Sequence, residues 1–185
     1  MASPLGHTAA GLALAVALRP TNPPRRFWVL AAGCSLLPDL DFFGRLSGSR
    51  QLDALLGGHR ALTHSIPSAI LIGLLVVLVA FARSEWRASR GRLWLSFAAA
   101  TASHGLVDSL TNYGAGVALL APISWTRVKA PWRPLGHGPC RGTLDCLAGG
   151  LGGELFWLAL PGLLLAGTVT WYRRLEGRRS RPHSA

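Results

Sequence analysis

Five apolar runs, 5–18, 27–37, 66–82, 93–107 and 151–172, alternate with short segments rich in Pro, Gly and Arg. None shows the strict two-residue alternation of a half-buried strand, so all five predict helices. Runs 66–82 and 151–172 approach or reach the roughly 20 residues that cross a hydrocarbon core, and 93–107 does so if 101–108 forms its far end. These three are expected to span. At about 1.5 Å per residue the first two runs fall short of about 30 Å. Joined by "RPTNPPRR", they read as a helical hairpin, either tilted and deeply embedded or just spanning. The expected fold is therefore all-α: a polytopic helical membrane protein with an N-terminal helical hairpin plus three spanning helices. One membrane-embedded domain, 1–175, is followed by a basic cytoplasmic tail, 176–185. The apolar N-terminus is not expected to be a cleaved signal, because no basic residue precedes it and Arg19 follows it.

Composition agrees with the pattern. Of the 185 residues, 50% are apolar and 15% charged, against about 25% charged in soluble domains. Mean hydropathy is +0.33. A net charge of +11 invites a nucleic-acid reading. The cations, however, cluster between apolar runs instead of following one polar face, which fits anionic lipid and makes nucleic acid an unlikely partner. The hairpin turn, "RSEWRASRGR" and "RRLEGRRSRPHSA" hold 12 of the 19 Lys and Arg but only Glu85 and Glu176 of the 8 acids. By the positive-inside rule that side is cytoplasmic, with the C-terminus. The expected location is the bacterial inner membrane, multi-pass, with the other helix ends facing outside.

At those outer ends stand His7, Asp39 and Asp41 of "LPDLD", His59 and His64 of "HRALTHS", His104 and Asp108 of "HGLVD", and Glu154. Metal-ligand residue types thus converge on one membrane face. His104 and Asp108, four apart, share a helical face and can hold one ion or pair with each other. His59 and His64 stand about 140° apart on a regular helix. His59 is therefore expected in a loop and His64 at a helix entrance, with Ser65 as N-cap and Pro67 in the first turn. Acids at a helix C-terminus oppose its dipole, so Asp39 and Asp41 need a positive neighbour. A divalent cation meets that need more locally than Arg45. Carboxylates mixed with imidazoles suit Zn²⁺, or Mn²⁺ or Fe²⁺, better than Ca²⁺, in one or two ions.

"PLGHTAAGLALA", "LPDLD", "HRALTHS" and "HGLVDSLTNYGAGVALLAP" together resemble the YdjM-like inner-membrane metal-dependent hydrolases over about 4–133. That family is distantly similar to zinc-dependent phospholipase C and the fungal single-strand nucleases. The resemblance implies that His7, Asp39, His59, His64, His104 and Asp108 are metal ligands or their neighbours, and that Asp41 either ligates or orients an imidazole. Asp41 and Glu154 are the candidate catalytic carboxylates. The soluble relatives complete their cluster with a His and a Glu four apart. Here Glu154 has no such histidine, and His137 is seventeen away.

In the outer segment 109–153, Arg127, Lys129, Arg133 and Arg141 alternate with Trp125 and Trp132. This reads either as an interfacial lipid anchor or as a clamp on substrate phosphate, with Arg60, Arg127 and Arg133 as substrate-binding candidates. Cys140 and Cys146 lie in the same segment and can form a disulfide; Cys34 reads as a buried thiol. The leading functional expectation is a membrane-bound metal-dependent hydrolase that acts on a phosphoester or lipid-linked substrate at the outer face through metal-activated water. Its alternative is a metal-stabilised membrane scaffold or partner-binding protein without turnover. Transport trails both, since the ionisable groups crowd one face and no internal repeat is present.

Overall fold

The structure, a computed structural model, describes residues 2–41, 56–136 and 150–179. Regular secondary structure among the described residues is helical, apart from one isolated bridge, Val117 to Val128. Helix α1 (Pro4–Leu18) begins where Ser3 Oγ accepts a hydrogen bond from the Gly6 amide at 3.1 Å, and Pro4 occupies a first-turn position that needs no donor. Pro20 prevents its continuation. Helix α2 (Arg25–Leu36) returns antiparallel and tightens into a 3₁₀ turn, Leu37–Leu40, that carries Asp39 and leads to Asp41. A second 3₁₀ turn, Leu62–His64, enters α3 (Ile66–Ala80), whose cap is the expected one: Ser65 Oγ accepts from the Ser68 amide at 3.2 Å, with Pro67 in the first turn. After the turn Ser84–Ser89 comes α4 (Arg90–Ser109). The last helix opens at Gly150, passes through a π turn at Leu155–Ala159 and continues as α5 (Leu160–Arg179), across the expected boundary at 175.

Helix α4 is the centre of the fold. It packs against α1, α2 and α3, while α5 leans on α1. Close approach depends on small residues: a Cβ on Gly73 of α3 would stand 2.7 Å from the Ala98 amide nitrogen of α4. At the arginine-rich end, Phe27, Phe81, Phe97 and Leu93 fill the space between helices, with Ala15, Ala31 and Ala100 admitting the rings. Cys34 is buried there as a thiol. At the other end the packed interior is polar, and that end holds the candidate site.

Of the three helices expected to span, one, Gly150–Glu176 with 27 residues, is long and apolar enough by itself. Ile66–Ala80 has 15 residues, which rise about 22 Å. It stops short of the apolar run because Phe81 leaves helical geometry and Arg90 donates to the Phe81 and Ala82 carbonyls. Helix α4 has 20 residues, but its first turn carries Arg90 and Arg92. Cys140, Cys146, Arg45, Arg141 and His137 lie outside the described residues.

Candidate metal centre

Four parts of the chain meet at this end. Helix α1 supplies His7, the turn after α2 supplies Asp39, the segment before α3 supplies His59 and His64, and α4 supplies His104 and Asp108. Gly105 sets how closely the third approaches the fourth. A Cβ there would lie 2.2 Å from the His64 carbonyl oxygen, so only glycine lets the 3₁₀ turn rest on α4. Three overlapping groups result: His7, Asp39 and His104; Asp39, His59 and His64; and His64, His104 and Asp108. Within each group one ligand atom from every residue lies within 4.8 Å of the others.

The imidazoles are held in defined tautomers by partners on their outer edges. His104 Nδ1 lies 2.7 Å from the Ser35 carbonyl, which only accepts, so Nδ1 carries the proton and donates it. His59 Nδ1 lies 2.7 Å from Asp41 Oδ1 and donates to it. The Thr63 hydroxyl spends its proton on Asp41 Oδ2 at 2.7 Å, leaving its oxygen to accept from His64 Nδ1 at 2.9 Å. In His64 and His104 the Nε2 edge is left facing the interior. His7 stacks flat on His104, with centroids 3.6 Å apart and planes 5° from parallel.

The inner edges meet at short range. His104 Nε2 is 3.3 Å from Asp39 Oδ1, and His64 Nε2 is 3.7 Å from both Asp39 Oδ1 and Asp108 Oδ2. His7 Nε2 is 3.7 Å from Asp108 Oδ1. Both His7 nitrogens, Asp39 Oδ1, His64 Nε2 and His104 Nε2 are buried without a hydrogen-bond partner among the described residues. Native interiors rarely leave so many polar atoms unsatisfied in one place. Ligands about 2.0–2.1 Å from a tetrahedral ion stand about 3.3–3.4 Å apart. The observed separations and the mixed imidazole and carboxylate donors therefore fit a divalent cation.

The carboxylates differ in their surroundings. Burial pushes the Asp39 carboxyl up, but the His104 and His64 imidazoles that face it outweigh burial and hold the group well below the usual range. Asp41 follows the same balance, with His59, His64 and Thr63 as the opposing partners. For His64, burial disfavours the imidazolium, yet Asp39 and Asp41 together raise its pKa above the ordinary value. Asp108 is paired on its other side with Arg60, whose Nε lies 2.9 Å from Oδ2 and whose Nη2 donates to Oδ1 at 3.1 Å.

The remaining candidates sit outside the ligand groups. Arg60 is 3% exposed and also donates to the Tyr113 carbonyl, so it braces Asp108 and the following loop. Arg127 donates to the carbonyls of Gly57, His59 and Gly116, tying two loops together. Arg133 is exposed. Glu154 is buried and accepts from both the amide and hydroxyl of Ser3 at the start of α1, one turn from His7. Thr63, the Ser35 carbonyl and Gly105 are functional features that sequence reasoning missed. A threonine beside a ligand histidine was a readable signal, whereas a main-chain acceptor leaves none.

A cluster of this kind inside an apolar helical chain can be set against known proteins. A family model described as YdjM inner membrane protein matches residues 1–175. The chain belongs to the YdjM inner membrane protein family. The match extends past the 4–133 of the motif resemblance and takes in Glu154 and α5 as far as residue 175. Inner membrane protein YbcI of Escherichia coli (strain K12) is 33% identical over 177 residues, covering 94% of this chain and 100% of that protein. YdjM membership agrees with the inner-membrane location expected from the apolar runs. No solved structure matches the chain.

Proposed function

We propose that this YdjM-family protein is a membrane-bound metal-dependent hydrolase acting on a phosphoester or lipid-linked substrate at the outer face of the membrane. The observation that carries the reading is the meeting of His7, His64, His104 and Asp39 through buried, unpartnered nitrogen and oxygen atoms, with the outer imidazole nitrogens of His64 and His104 already engaged. Asp39, His64 and His104 each belong to two of the three groups and would help to hold an ion in either. Zinc is favoured, with manganese or iron as alternatives. When bound, such an ion supplies Lewis acidity that lowers the pKa of water and offsets charge on a phosphoryl oxygen.

The chain's own residues do the rest. Asp41 orients His59 and, through Thr63, His64. Arg60 aligns Asp108. Access is on the side of Asp39 and His59, whose side chains are 25% and 14% exposed while the other ligands are sealed. The loop over this end exposes Ile123, Trp125 and Trp132, which suits an interfacial belt, with Lys129 and Arg133 exposed nearby to meet phosphate. The apolar faces that α3 and α5 turn outward, including Leu71, Leu75, Val79, Leu163 and Leu164, support a polytopic arrangement in lipid. The C-terminus is then cytoplasmic and the metal centre external.

The test is metal analysis of detergent-purified protein followed by phosphoesterase assay with and without chelator. Bound stoichiometric metal and chelator-sensitive turnover support the hydrolase. Metal without turnover on phosphoesters favours a metal-stabilised scaffold, a reading encouraged by how completely His7, His64, His104 and Asp108 are buried.

A further inference from the structure

The end of the fold opposite the histidine cluster contains a cleft of about 1210 Å³ between the end of α1, the start of α4 and the last turns of α5. Among the described residues it is lined by Arg19, Arg92, Arg173 and Arg174 against one carboxylate, Glu176, with Asn22, Thr168 and Tyr172 as neutral polar groups. Arg173 is committed: it donates to the Ala17 and Arg19 carbonyls and caps α1. Arg19 stacks over Trp28 at 5.9 Å, and its Nε is buried without a hydrogen-bond partner. Guanidinium groups gathered in a cleft of a membrane protein repel one another unless an anion joins them. A second, apolar groove of about 450 Å³ continues from the cleft, sharing Thr170 and Arg174, and runs along α1 and α5 past Val16, Leu163, Ala166, Gly167 and Trp171.

We propose that this cleft binds the phosphate of an anionic phospholipid, with Arg19, Arg92 and Arg174 around the headgroup and one acyl chain in the groove between α1 and α5. A planar guanidinium matches two phosphate oxygens at once. Basic pockets between membrane helices are natural headgroup sites, and an adjoining apolar furrow separates a lipid from free phosphate. The site is independent of the metal centre. From Arg92 to Asp108 the α4 axis rises about 24 Å, so the lipid would steady α1 and α4 from the far end without touching the ligands.

The test places the full-length protein in nanodiscs of pure phosphatidylcholine or of phosphatidylcholine with phosphatidylglycerol, and measures thermal unfolding and lipid retained by native mass spectrometry. A third arm adds inorganic phosphate to the phosphatidylcholine discs. Phosphatidylglycerol should be retained and should raise the unfolding temperature. The double variant Arg92→Gln with Arg174→Gln should lower its retention about thirtyfold, on a scale of about fivefold per arginine at an anionic surface, with metal content unchanged. Arg173 is left intact because it caps α1. The matched double Arg→Lys variant keeps the charge but not the two-oxygen fork, so its retention should fall between wild type and the double Gln variant, which separates lost charge from lost folding. Groove filling by Gly167→Leu should weaken lipid retention alone. Stabilisation by inorganic phosphate without a lipid preference would overturn the lipid assignment in favour of a soluble phosphate compound. Equal retention by wild type and the double Gln variant would overturn the site altogether.

Discussion

A histidine serves as a ligand only when one nitrogen keeps its lone pair facing the ion, and here that condition is met from outside the cluster. His104 gives its Nδ1 proton to the Ser35 carbonyl, His59 to Asp41 and His64 to Thr63. Replacing His104 by alanine removes a nitrogen that faces Asp39 at 3.3 Å. Bound metal, read by plasma mass spectrometry of purified protein, should fall substantially, whereas Arg133→Ala, at an exposed position, should leave it unchanged. Equal metal in the two variants would count against the site. Asp41→Asn poses a finer question. The amide keeps the shape but offers one oxygen where two now serve His59 and Thr63, so metal affinity should weaken by about 10–100-fold without a loss of fold. Complete loss of metal would instead make Asp41 a ligand. The clustered residues were legible because ionisable side chains stand out in an apolar sequence. Their supports were not: Ser35 acts through its main chain, Thr63 through one hydroxyl, and Arg60, read as a phosphate contact, turns inward to Asp108.

The helices were read closely because run length, Pro and caps are local signals: Ser65 and Pro67 define the start of α3 as expected. The loop 110–136 was not readable as structure. Its bonds are long-range, with the Ala118 amide donating to the Arg60 carbonyl, the Ile66 amide to Leu119 and Arg127 to three carbonyls. No periodicity announces such contacts. The same limit concealed Gly105, one small residue among many, whose absent Cβ lets the segment 62–64 rest on α4. Gly105→Ala puts a methyl group 2.2 Å from the His64 carbonyl, a main-chain atom that cannot turn away. The variant should lose roughly 1–3 kcal/mol of stability and part of its metal, because His64 is displaced with its backbone. Gly91→Ala, on the same helix with nothing within 4 Å of the added carbon, is the control and should be neutral or slightly stabilising. Thermal unfolding in one detergent compares them. Identical behaviour of the two variants would show that the contact with His64 is not a constraint.

At the scale of the molecule two chemistries occupy opposite ends: imidazoles and carboxylates beside His7, arginines beside Arg19. The step of 12 residues from His7 to Arg19, along α1 and its C-cap, rises about 18 Å, less than the roughly 30 Å hydrocarbon core. If the arginines lie at the inner headgroups, the metal centre therefore lies below the outer surface, covered by the loop that exposes Ile123 and Trp125. A lipid-linked group could reach it from the membrane plane. Orientation decides which compartment supplies the ion, and the charge distribution predicts the answer. In a background with all three native cysteines replaced by serine, Ser124→Cys on that loop should react with an impermeant thiol reagent on intact cells. Ser84→Cys, exposed in the turn between α3 and α4, should react only after the membrane is opened. The two positions lie beyond opposite ends of α4, so a single crossing by α4 puts them on opposite sides of the membrane. Labelling of Ser84→Cys alone in intact cells would turn the centre toward the cytoplasm, and the search for a substrate would move with it.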